Sequence, residues 1–135
     1  MKRLLPILAV CCFLPGCCLR EREAITLLPE GVVVSYPELL ERAKLQVSVA
    51  TESFYTDDWP ALKKVALALG QTARFFPKAP DVPAAFKKDL PTKAEELEKA
   101  ALQLAKDAQA KDVNGANARL QTINLKIREF HTPAK

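Results

Sequence analysis

The segment SYPELLERAKLQVSVATESF, residues 35–54, predicts the fold class more directly than any other part of the chain. Ser35 followed three residues later by Glu38 matches a capping box, in which both side chains bind free backbone N–H groups at a helix start. Apolar residues then recur at steps of three and four, at Leu39, Leu40, Ala43, Val47, Ala50 and Phe54. This spacing puts them on one face, so the segment predicts an amphipathic helix that buries that face.

Three further segments repeat this pattern of a punctuated start followed by an apolar face. Asp57 and Asp58, with Pro60 close behind, mark the start of a second helix, and Asp112 is the expected cap of a fourth. A long crossover lies between the second and third helices, marked by Pro77, Pro80, Pro83 and Pro91. The three apolar faces are Leu62, Val65, Ala66, Leu69, Ala73 and Phe76; then Ala94, Leu97, Ala101, Leu104 and Ala108; then Ala116, Leu120, Ile123, Ile127 and Phe130.

The composition agrees with a small helical domain. The chain has 135 residues, enough for one domain, and its 49% of hydrophobic residues is typical of globular proteins. Only 7% of the residues are aromatic, so the core should be aliphatic. We predict an all-α fold, an antiparallel up-down-up-down four-helix bundle over residues 35–131, with the Pro-rich crossover between helices 2 and 3 and a tail at 132–135.

The N-terminus has the pattern of an export signal over residues 1–16. Lys2 and Arg3 precede a run of 12 apolar residues from Leu4 to Pro15. That run is too short to cross a bilayer as a helix, which takes ~20 residues. The sequence Leu14-Pro15-Gly16-Cys17 resembles a lipobox, the processing site of bacterial lipoproteins, and this resemblance implies cleavage before Cys17 and lipidation of that cysteine.

The predicted mature chain therefore begins at Cys17, with residues 17–34 as a lipidated tether. We expect it to be exported and lipid-anchored at the cell envelope, facing the periplasm. The residue after Cys17 is Cys18 and not an aspartate. In this the chain resembles lipoproteins that are sorted to the outer membrane rather than kept in the inner one. Loss of Lys2 and Arg3 leaves 18 basic against 16 acidic residues, and this near-neutral balance predicts no nucleic-acid partner, which would need a concentrated basic face.

The helical layout resembles the cytochrome c′ family, in which four antiparallel helices are joined by a loose crossover between the second and third. The resemblance covers residues 35–131 and is strongest from Leu90 onward. In that family the last helix carries T-C-x-x-C-H followed by an aromatic residue, and here Thr122 and Phe130 fit the pattern. Residues without thiol or imidazole groups, Ile123, Lys126 and Ile127, stand where the two cysteines and the histidine would be.

The missing ligands predict a bundle without haem or any other cofactor. A thioether link needs thiols and the iron bond needs an imidazole, so the family's cofactor could not be attached at these positions. The cytochrome b562-like bundle is a second topology that the layout resembles, and its methionine ligand is also missing, because Met1 is the only methionine and is lost with the predicted signal.

Few residues suggest a chemical or binding site. His131 is the only histidine, and all four cysteines, Cys11, Cys12, Cys17 and Cys18, precede the predicted bundle, so we expect neither a metal site nor a catalytic serine–histidine pair. Four residues around the second helix are candidates for a partner or ligand surface, with packing at the ends of the core as the alternative: Tyr55, Trp59, Arg74 and Phe76.

The sequence therefore predicts a non-catalytic, lipid-anchored envelope domain that acts through protein contacts. Its partners would be the membrane, through the lipidated cysteine, an envelope protein of unknown identity, and a second copy of the chain through helix faces. The alternative is a small-ligand binding module that uses the bundle interior or the aromatic end. An enzyme is not expected.

Overall fold

The computed structural model describes residues 16–131, which contain five α-helices and no strand. The prediction of an all-α fold is confirmed for this range. The helices are α1 (Gly16–Ile25), α2 (Tyr36–Tyr55), α3 (Trp59–Phe75), α4 (Leu90–Ala110) and α5 (Val113–Glu129), with a short 3-10 helix at Phe76–Lys78. Residues 1–15 of the predicted export signal and the predicted tail at 132–135 lie outside the described residues.

Three of these helices begin with side-chain caps at the positions predicted from the sequence. Ser35 Oγ accepts a hydrogen bond from the Glu38 N–H at 3.4 Å, at the start of α2. Asp58 and Asp112 do the same for α3 and α5, each at 3.0 Å from the donor nitrogen three residues on. Each cap satisfies one of the N–H groups that a helix start leaves without a partner, so these starts are fixed by local chemistry.

Helices α2 to α5 pack around one aliphatic core. Each contacts the next along the chain, and α2 also contacts α5. The apolar faces predicted for the four helices are buried, apart from Phe54, which is half-buried. Burial of these faces supplies most of the stability of such helices, because short helices are marginal alone in water.

Helix α1 is an element that the sequence analysis did not predict, because it lies within the segment expected to be a tether. Its Ala24 is fully buried, and the Gln46 side chain of α2 donates a hydrogen bond to the Ala24 carbonyl at 3.1 Å. Further along, the Gln71 amide pairs with both backbone groups of Leu28, each at 2.9 Å. These long-range contacts order a segment whose own sequence has no apolar periodicity.

Four aromatic rings close one end of the core, which we call the Tyr36 end: Tyr36, Phe76, Phe86 and Phe130. The Tyr36 ring lies 5.6 Å from that of Phe76 and 5.8 Å from that of Phe86, and Phe76 lies 4.5 Å from Phe130. Tyr36 also donates its hydroxyl to the Phe130 carbonyl at 2.8 Å and its backbone N–H to Asp81 Oδ1 at 2.7 Å. Burial raises the pKa of the Tyr36 hydroxyl. The start of α2, the crossover and the end of α5 therefore meet at one residue.

Replacing Tyr36 tests this junction. The substitution Tyr36→Phe keeps the ring but leaves the Phe130 carbonyl buried without its partner, which costs ~1–3 kcal/mol of folding free energy. We predict a loss of this size in urea unfolding followed by circular dichroism. The matched control is Tyr55→Phe, because Tyr55 is 76% exposed, and it should change stability by less than ~0.5 kcal/mol. Equal effects of the two substitutions would contradict the junction.

Candidate functional site

The structure separates the four residues that the sequence suggested as one surface. Tyr55 and Trp59 lie at the turn between α2 and α3, whereas Arg74 and Phe76 lie at the opposite end of α3. That helix has 17 residues, so at ~1.5 Å per residue the two pairs are ~25 Å apart. Phe76 is fully buried at the Tyr36 end. The expected single surface is therefore replaced by two separate regions.

The first region is the aromatic turn between α2 and α3, residues 54–59, which we call the Tyr55 end. Phe54 packs edge-on against Tyr55 and Trp59, with ring centres 5.4 and 6.0 Å away. Phe54 and Trp59 are half-buried, but Tyr55 remains 76% exposed. This region therefore combines aromatic packing with one ring, that of Tyr55, that remains accessible.

A surface groove runs from Tyr55 along the boundary of α2 and α5. Its volume is about 520 Å³. Arg20 of α1 donates a hydrogen bond to Ser48 Oγ on the wall of this groove, at 2.6 Å. Two aliphatic side chains lie among polar, charged and aromatic ones in its lining, which consists of Lys44, Val47, Ser48, Thr51, Glu52, Tyr55, Asn124 and Ile127.

The second region is a groove of about 490 Å³ between α3 and the loop at residues 30–33. Arg74 lines it and forms an ion pair with Glu98 of α4, at 2.6 Å. Lys78 stands 5.5 Å from the centre of the Phe75 ring, within the range of a cation–π contact. Exposed Val33 gives this groove apolar surface, and its charged lining consists of the cations Arg74 and Lys78 and the carboxylate of Glu30.

Ile123, Lys126 and Ile127, at the positions compared with the haem motif, each have a structural role. Ile123 is fully buried and Ile127 is 7% exposed, so both fill the space between helices. Lys126 extends from the same helix toward α4, where its Nζ atom lies 2.6 Å from Glu96 Oε2. These side chains join α5 to the core and to α4.

The remaining candidates are spread over the surface. Cys17 lies in the first turn of α1, and its side chain is outside the described part of the structure. His131 is exposed and is the second residue after the end of α5. Among residues 16–131, no group of three or more His, Cys, Asp or Glu side chains is placed to hold a metal ion. None of the helices in that range is both long and apolar enough to cross a membrane.

Sequence reasoning missed two glutamines that hold the N-terminal segment in place. Gln46 is fully buried, and its position between Ala43 and Val47 puts a polar residue on the apolar face of α2, a pattern that indicates a buried hydrogen bond. The position of Gln71 did not predict its hydrogen bonds, because it lies on the flank of α3, where a glutamine exposed to water is equally common.

No family model, curated protein or solved structure matches the chain.

The ion pair at Lys126 gives a prediction about a measurable pKa. The hydrogen bond and the charge of Lys126 lower the pKa of the Glu96 carboxyl. We predict that Lys126→Met returns the Glu96 pKa upward to its ordinary value, as measured by carboxyl-detected NMR titration. The matched control is Glu41, whose pKa is lowered in the same way by Lys44 and should not respond.

The sign of the linked pH dependence follows from that shift. Because the folded-state pKa of Glu96 is lowered, the pair stabilises the folded chain above the ordinary glutamate pKa, and this contribution is lost as the pH falls through the lowered value. An unchanged Glu96 titration in the Lys126→Met variant would show that the contact is not formed in solution.

Proposed function

We propose that this protein is a non-catalytic, lipid-anchored domain of the cell envelope that faces the periplasm and acts through contacts with another protein. The observation that carries the proposal is that α1, whose first turn contains Cys17, docks on α2. Arg20, Ala24 and Thr26 all bond to α2, so the bundle would be held close to the lipidated residue. A lipoprotein domain held in this way presents its sides, where the grooves lie, to neighbouring envelope proteins.

The proposal includes a bundle topology for α2 to α5 with antiparallel neighbours, similar to the cytochrome c′ family but without haem. Two contacts support it, because each joins the end of one helix to the start of its neighbour: Arg74 with Glu98 for α3 and α4, and Lys126 with Glu96 for α5 and α4. The Tyr36 end does the same for α2 and α5. Short connections at residues 56–58 and 111–112 also favour antiparallel neighbours.

The state of the polar side chains supports a role without catalysis. Thr51 and Thr72 donate their hydroxyl groups to backbone carbonyls four residues earlier, which occupies the proton a nucleophile would have to give to a base. Glu95, Glu96 and Glu98 form ion pairs with Lys99, Lys126 and Arg74. General acid–base work needs carboxyl groups whose pKa is raised toward neutrality, whereas the pKa of Glu96 is lowered.

The groove between α2 and α5 is the surface we assign to the protein partner. It combines exposed polar groups such as Asn124 with aliphatic walls, and Leu125 beside it is 61% exposed. A mixture of apolar contact area and hydrogen-bonding groups is what protein interfaces use. A second copy of this chain is one occupant that such a surface could take.

Lipid attachment is tested by replacing the cysteine. Cys17→Ser should abolish incorporation of labelled fatty acid and move the protein from the membrane fraction to the soluble periplasmic fraction, because the acyl chains provide the anchoring free energy. The matched control, Cys18→Ser, should keep both label and membrane attachment. Fatty-acid labelling that survives in Cys17→Ser, or is absent in the unmodified chain, contradicts the anchor.

Protein contact is tested in the same envelopes with a thiol cross-linker. In a Cys18→Ser background, which leaves the acylated chain without another free thiol, the single thiol of Asn124→Cys in the groove should give one discrete cross-linked product. The mass of that product separates a second copy of the chain from a different protein. Lys64→Cys, exposed on α3, is the matched control and should give none. Equal products at both positions would argue against the groove as an interface.

The second candidate function is binding of a small ligand, for which we propose the groove beside residues 30–33. The bundle interior is filled by buried aliphatic side chains, which leaves the surface grooves as the places for a ligand. Arg74 and Lys78 beside the Phe75 ring favour an anionic molecule with an apolar part. Native mass spectrometry that finds a stoichiometric added mass would favour this candidate.

A further inference from the structure

We propose that the Tyr55 end of the bundle rests in the headgroup layer of the bilayer and that zwitterionic lipid is its preferred surface. This inference rests on the proposed lipidation of Cys17. It assigns a second, aromatic contact with the membrane in addition to the acyl chains, and it fixes which end of the bundle faces the lipid.

The register between α1 and α2 gives the position of Cys17. Arg20 bonds to Ser48, Ala24 to Gln46, and Thr26 to Arg42, so α1 runs antiparallel to α2. A step of six residues from Arg20 in α1 to Thr26, the residue directly after this helix, matches a step of six along α2, from 48 to 42. Three more residues carry the backbone of α1 back to Cys17, a rise of ~4.5 Å toward the end of α2.

The Tyr55 end is therefore the end of the bundle nearest to the attachment point. By the same register, the backbone of Cys17 lies at the level of Thr51, one helical turn before Tyr55, the last residue of α2. Acyl chains that leave the protein at this level bring the Tyr55 end to the bilayer surface. The Tyr36 end, at the far end of the 20-residue helix α2, is ~30 Å from the Tyr55 end.

The two ends of the bundle differ in the exposure of their aromatic rings. The aromatic rings of the Tyr36 end are buried, with exposed fractions of 7% or less. At the Tyr55 end, Tyr55 is 76% exposed, Trp59 is half-buried, and Leu19 in the first half of α1 is 68% exposed. Tyrosine and tryptophan are the residues that concentrate at membrane–water interfaces, because an apolar ring and a polar tip fit the headgroup layer.

The charges at this end favour a zwitterionic over an anionic surface. The α4–α5 turn lies at the same end, because the ion pairs of Glu96 and Glu98 place the start of α4 at the other one. In the two turns themselves, which would lie deepest, Asp57, Asp58 and Asp112 stand against the single cation Lys111, and all four are exposed. The nearest further cations, Lys63, Lys64 and Lys106, lie about one helical turn farther from this end. Anionic headgroups would repel this excess of carboxylates, so the aromatic rings rather than basic side chains provide the contact.

The only tryptophan of the chain, Trp59, makes the contact directly measurable. The acylated full chain is purified and inserted in phosphatidylcholine vesicles that contain bromine-labelled lipid. We expect quenching of Trp59 together with a shift of its emission to shorter wavelength. Replacing part of the phosphatidylcholine by phosphatidylglycerol should reduce the quenching, and added salt should restore it. An increase of quenching with phosphatidylglycerol would overturn the preference for zwitterionic lipid.

Two variants separate this contact from anchoring alone. Lys88→Trp in a Trp59→Phe background moves the single tryptophan to the exposed crossover near the Tyr36 end, and we expect no quenching there. Equal quenching at the two positions would overturn the assigned end. Tyr55→Ser, whose fold is checked by circular dichroism, should reduce the quenching of Trp59, and an unchanged value would overturn the role of that ring.

The mass of the purified chain keeps the two proposals distinguishable. A chain that carries no acyl groups would remove the proposed anchor and this inference together. An acylated chain that floats with the vesicles while Trp59 stays unquenched would overturn the inference and leave the anchor standing.

Discussion

The hydrogen bond from the Tyr36 hydroxyl to the Phe130 carbonyl is the contact on which the rest of the structure depends. It joins residues that are 94 positions apart, the first residue of α2 and the residue directly after α5. Around it, the Phe76 and Phe86 rings bring in the end of α3 and the crossover. A bundle whose interior is mostly aliphatic gains a fixed end from this polar group, because a buried hydroxyl must keep its partner.

The sequence predicted the parts of the structure that depend on local chemistry. The caps at Ser35, Asp58 and Asp112 act over three residues, and the apolar faces of four helices follow from helical spacing alone. Helix α1 and the Gln71 pairing with Leu28 could not be predicted in this way, because they are decided by neighbours 22 to 43 residues distant along the chain. The candidate surface of Tyr55, Trp59, Arg74 and Phe76 was divided for a related reason. Two of these residues lie at one end of α3 and two at the other, so the length of the helix separates them.

The two ends of the bundle differ in the exposure of their aromatic side chains. The buried rings of the Tyr36 end complete the core, while Tyr55 at the opposite end remains exposed. Between the ends, many of the carboxylates on the helix surfaces are paired with lysine or arginine, and several hydroxyls are bonded to the backbone. This distribution fits a domain that works through its surfaces, with the membrane at one end and a partner along its side.

Hydrogen exchange in the last two turns of α5, residues 123–130, tests the central claim most directly, since the last turns of a helix ordinarily fray. If the Tyr36 end closes the bundle, the amides of Ile123, Ile127 and Phe130 should exchange only through global unfolding, with protection equal to that in the middle of α3. Exchange of these amides at the rate of a frayed helix end, while α3 stays protected, would show that the Tyr36 junction does not hold the bundle together.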